Sequence, residues 1–126
     1  MSWACEFRCA KSLDALDAAL NQAGPWSWQA RDSYGYGDYL NSRPLPKLRV
    51  RIHENGAGML DWWAAHRQGR LEPDNAEARR SGEHHYRVQV DMDDGCAIER
   101  TAVDDVLSSL LPVVGARDIR EIAAYD

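Results

Sequence analysis

Three stretches of this chain alternate apolar and polar side chains with a period of two. Residues 3 to 9 set Trp3, Cys5, Phe7 and Cys9 against Ala4, Glu6 and Arg8. Residues 47 to 54 set Leu48, Val50 and Ile52 against Arg49, Arg51 and His53, and residues 85 to 92 set Tyr86, Val88, Val90 and Met92 against His85, Arg87, Gln89 and Asp91. Successive side chains of a strand point to opposite faces, so these segments predict strands of one sheet with an apolar face and a polar face. A one-residue slip would exchange the two faces, which fixes the register as well.

Two other segments repeat at helical spacing. Ser12 stands at an N-cap position with Asp14 in the first turn, and Leu13, Leu16, Ala19, Leu20 and Ala23 form an apolar stripe that Gly24-Pro25 ends. Ile98, Ala102, Val103, Val106, Leu107, Leu110 and Val114 form a second stripe, in which Pro112 ends or distorts the last turn. Trp26, Trp28 and Ala30 predict a short strand with both tryptophans in the core. A tyrosine- and glycine-rich loop and Arg43-Pro44-Leu45-Pro46 follow it, and Asp118 to Tyr125 reads as a last strand. Met59 to His66 fits a short helix or a bulged strand and is read as a strand pairing back on residues 48 to 54. Residues 68–83, rich in charge, Gly and Pro, predict an exposed, mobile connection with a helical turn or two around Asn75 to Arg80.

The order of elements predicts a single α+β domain over residues 1–126, resembling the ferredoxin-like, split βαβ layout: an antiparallel sheet, two helices on one face, and an inserted strand or hairpin in the middle. At 126 residues, with 44% hydrophobic and 28% charged residues, the chain has the composition of one ordinary globular domain. No stretch approaches the ~20 apolar residues that span a bilayer, and a cytoplasmic protein without membrane contact is expected. The net charge of −5 repels phosphate backbones, and the parity of Trp26 and Trp28 keeps their rings off the polar face, so no nucleic-acid partner is expected. Cys5 and Cys9, four apart on a strand, would lie ~13 Å from each other, too far to bridge. With Cys96 they read as reduced thiols.

The residues carry no signature of a reaction. His84 and His85 are consecutive and point to opposite faces; His53, His85 and Asp91 or Glu54 are metal candidates that no HxH, HExxH or CxxC spacing supports, and Asp91, Asp93 and Asp94 lack the spacing of a calcium loop and read as a turn. No cofactor is expected. Binding is therefore the expected activity, by a protein-binding or regulatory module acting as monomer or homodimer, of the kind that neutralises a toxin. Tyr, Trp and Arg dominate binding hot spots, which singles out Tyr34, Tyr36 and Tyr39 with Arg31, Arg49, Arg51 and Arg87 on the open polar face. The adjacent Trp62 and Trp63 cannot both be hidden, and one serves as a lid or an anchor. Two rival readings are a small metal-dependent or anion-binding enzyme using Arg49, Arg51, His53, His85 and Asp91, and a ligand-sensing homo-oligomer whose open faces pack together.

Overall fold

The computed structural model describes residues 2–71, 83–93 and 100–124. The helical turn expected around Asn75 to Arg80, Asp94, Cys96 and Tyr125 lie outside the described residues. Strands β1 (Ser2–Cys9), β2 (Gln29–Ser33), β3 (Gly37–Leu45), β4 (Leu48–Glu54), β5 (His84–Met92) and β6 (Arg117–Ile122) form one antiparallel sheet in the order β2-β3-β4-β5-β1-β6. Helices α1 (Leu13–Ala23), α2 (Met59–Arg67) and α3 (Arg100–Val114) complete the α+β fold. β5 and β6 flank β1, run parallel to each other and are linked through α3, but three strands separate β1 from β2. This order does not confirm the ferredoxin-like arrangement.

The alternation translates directly into packing. Phe7, Val50, Ile52, Tyr86, Val88 and Val90 enter a core completed by Leu16 and Leu20 of α1 and Val103, Val106, Leu110 and Val114 of α3. α1 starts where its cap predicts, the Ser12 hydroxyl accepting from the Ala15 N–H at 3.3 Å. At its far end the Asn21 side chain holds Trp28 through the Trp28 N–H at 2.8 Å, which seats that indole in the core. Trp26 is only partly buried, and neither tryptophan belongs to a strand: β2 begins at Gln29. α3 continues two residues past Pro112 to Val114, and the left-handed Gly115 (φ 67°) closes it.

Two segments differ from expectation. The stretch read as a long loop is the strand β3, which pairs with β2 through a three-residue turn at 34–36 and with β4 on its other side. Met59–Arg67 is a helix, not a strand. Its N-cap residue, Gly58, offers no side chain to the first turn, and the orphan donors go to the β2–β3 turn instead: Met59 N–H to the Tyr34 carbonyl at 3.1 Å and Leu60 N–H to the Gly35 carbonyl at 3.0 Å. The backbones meet so closely that a Cβ on Gly58 would overlap the Gly35 carbonyl oxygen and the Tyr36 carbonyl carbon. Gly58→Ala is therefore expected to cost about 1–3 kcal/mol, as overpacking does. Thermal unfolding checks this, and an unshifted melting temperature would show that the turn slides freely over the helix.

Candidate functional site

Parity places the polar side chains on one face as expected. In the register, Arg49 faces Asp91, Arg51 faces Gln89 and His53 faces Arg87 between β4 and β5, while Glu6 of β1 lies between Arg87 and Arg120. The expected openness of that face is not what the structure has. Glu6, Arg51, His53, His85, Arg87 and Gln89 are all buried. α2 comes over the face through Asp61, whose Oδ2 lies 3.8 Å from His53 Nδ1, and the β2–β3 turn comes over it through Tyr36. Arg51 and Arg87 thus belong to an internal polar layer and not to a docking surface.

Each charge in that layer has a specific neighbour. Asp91 pairs with Arg51, lies 3.8 Å from Arg49, and accepts from the Ser2 hydroxyl at 2.6 Å and the Gln89 amide at 3.1 Å. Burial by itself raises the Asp91 carboxyl, but the Ser2 hydroxyl, Arg51 and Gln89 together outweigh it and hold the group below the usual carboxylate range. Glu6 bridges His85, 3.2 Å away, and Arg120. Burial lowers the His85 pKa against the opposing pull of Glu6. His53, 0% exposed, is driven down to about 4, first by burial and then by the nearby Arg87 and Arg51, with Asp61 and the Glu54 carbonyl opposing. The Glu54 carbonyl accepts from His53 Nδ1 at 3.3 Å, which orients the neutral ring.

The tyrosines divide. Tyr36 and Tyr39 are half-buried, edge to face with ring centroids 5.6 Å apart, and Tyr36 also lies 5.3 Å from the His53 ring and 4.3 Å from the Arg51 guanidinium. Both belong to the cover of the polar layer. Tyr34, at the tip of the turn, is 74% exposed. Arg31 is exposed on the edge strand β2 and bonded to Gln29, and Arg49 is half-buried beside Asp91.

The metal candidates are not brought together. His53 lies diagonally from His85, but His85 and Asp91 are six residues apart on β5, about 20 Å along a strand. Among the described residues no three His, Cys, Asp or Glu side chains converge as ligands. Of the groups named for an enzyme on this face, Arg49 and Arg51 meet Asp91, and His85 lies far from that carboxylate along β5. His84 and His85 do point to opposite sides: His84 stacks on Tyr86 at 5.8 Å, and His85 meets Glu6.

Two features went unread in the sequence. Asn55 and Asp61 are both buried, Asp61 accepting the Gly56 N–H at 2.7 Å, whereas Asn55-Gly56 looks like an ordinary turn and Asp61 like a surface carboxylate. Trp62 and Trp63 are 42% and 53% exposed, so both indoles of that pair reach the surface. A scan against protein-family models, a search of curated proteins and a search of solved structures each found no match.

Proposed function

We propose that this chain is a protein-binding regulatory module that docks through the end of the sheet where the β2–β3 turn meets α2. One observation carries the reading. Three large aromatic side chains, Tyr34, Trp62 and Trp63, stand exposed on two segments that are fastened to each other by the Met59 to Tyr34 and Leu60 to Gly35 hydrogen bonds. Aromatic groups of this kind are the usual anchors of protein interfaces, and a surface already ordered gives up less entropy on binding. The Trp62 indole N–H donates to the Gly56 carbonyl at 3.0 Å, which fixes its ring, so Tyr34 and Trp63 are the freer anchors.

The regulatory role, of the toxin-neutralising kind, is stoichiometric: the module occupies its partner. Cytoplasmic residence is part of the proposal and is supported by the thiols. Cys5 and Cys9 are buried and unbridged, and burial above all pushes the Cys5 thiol up to about 11, which makes it a poor nucleophile. No helix among the described residues is long and apolar enough to cross a membrane.

The test is a Tyr34→Ala/Trp63→Ala double variant. Substitutions at such exposed sites change stability by about 0.5 kcal/mol or less each, so its melting temperature should stay within a few degrees of the parent. A partner held stoichiometrically by the parent chain should be lost from the variant. Equal retention by both proteins would remove this surface from consideration.

A further inference from the structure

We propose that the groove between α2 and the polar sheet face is a binding site for a small organic anion, a carboxylate or phosphate carried on a flat ring. The groove encloses about 710 Å³, within the range that takes up most of a small ligand's surface. Its floor is the sheet, with Glu6, and the turn after β4, with Asn55, and one wall is α2, with Trp63 and Arg67.

The polar groups of the groove are unequally committed. The carboxylates are engaged: Glu6 holds His85 and Arg120, and Asp61 accepts from the Gly56 N–H. Asn55 is different. Its backbone N–H is used by the His85 carbonyl, but its side-chain amide has no hydrogen-bond partner among the described residues, although the residue is only 7% exposed and lines the groove. The amide is not closed off from solvent, so a ligand seated in the groove can reach it and bond to it in place of water. Arg67 is the complementary case for charge: its guanidinium lines the groove without an ion-pair partner among the described residues. A free guanidinium selects a planar anion, which it can hold through two parallel N–H donors.

Trp63 supplies the remaining element. Its half-exposed indole forms part of the wall beside Arg67, a flat apolar surface suited to stacking with a ring. An anion, an amide partner and a stacking face together define an aromatic carboxylate or a mononucleotide better than a sugar or a metal ion. The inference rests on the groove and not on the protein-docking reading, and its test leaves Tyr34 and Trp63 intact.

The experiment is calorimetric titration of the full chain with indole-3-acetate and adenosine monophosphate, each beside its uncharged counterpart, indole-3-acetamide and adenosine. At least one anion should bind about tenfold or more tightly than its counterpart, and which of the two does so distinguishes carboxylate from phosphate. Arg67→Gln should abolish that preference, and Asn55→Ala should weaken binding by about tenfold. In parallel, the Asn55 side-chain amide resonances should move on titration of the parent chain, a readout that does not depend on how well the Asn55 variant folds. Absence of binding by both anions, or binding indifferent to Arg67→Gln with static Asn55 resonances, would overturn the proposal.

Discussion

Replacing Asp91 by Ala is expected to cost about 3 kcal/mol of folding stability, the low end for breaking a buried ion pair from one side, because Asp91 is part-buried while its partner Arg51 is buried. The Arg51 side chain is only 10% exposed and cannot carry its charge into water when the carboxylate is removed. The Ser2 hydroxyl and the Gln89 amide lose their acceptor in the same step. Asp91→Asn keeps an acceptor for these neighbours but not the countercharge, so a smaller loss is expected. Urea unfolding separates the cases, because the midpoint should fall with an unchanged slope. A loss below ~1 kcal/mol for Asp91→Ala would mean that Arg51 finds water or another partner, and that the layer is looser than its burial implies.

Stability should also fall as the pH drops from about 6.5 to about 4, because His53 is neutral in the folded protein. Its folded pKa, lowered mainly by burial, is about 4, against about 6.5 for an unfolded histidine. Between these values the unfolded chain takes up a proton that the native one refuses, so stability is full above the unfolded value and is lost on acidification, by roughly 3 kcal/mol over the whole window. His85, lowered in the same direction, adds to this loss. Asp91 acts in a lower window: its depressed pKa contributes stability that is present above the unfolded value of about 3.9 and disappears as pH falls through its folded value. Denaturant curves taken across this range measure the slope, and His53→Gln should reduce it by about one proton. An unchanged slope in that variant would show that His53 is charged in the native state and paired with Asp61.

Much of this layout was legible in the residues, and what was not has identifiable causes. The faces of β1, β4 and β5 follow from alternation alone, and the start of α1 from Ser12, because each signal is contained in a few neighbouring residues. β3 was missed because Gly37, Asp38, Asn41 and Pro44 carry turn chemistry, and the strand is made by pairing on both its edges. α2 was misread for a related reason: its cap is not local but comes from the carbonyls of Tyr34 and Gly35. Alternation also separates apolar from polar side chains without separating buried from open ones. Arg51 and Arg87 therefore read as open side chains of the polar face, which is the correct face and the wrong environment, while Arg49 stays half-exposed. Asn55 and Asp61 gave no signal, since their burial depends on α2 lying over the sheet.

The place of β1 has a consequence for how the chain reaches this structure. It leaves the ribosome before the other strands of this sheet, yet both its sheet neighbours are late ones, and its Ser2 to Asp91 contact spans 89 residues. The β2, β3 and β4 meander can form from consecutive segments, but it ends on the unpaired edge of β4 until β5 is made. β1 then pairs with the free edge of β5, and β6 adds to β1 as the last strand. Non-local pairing of this kind slows folding and leaves strand edges open while synthesis proceeds. The interval between emergence of β4 and arrival of β6 is thus when the nascent protein is most exposed to misassociation.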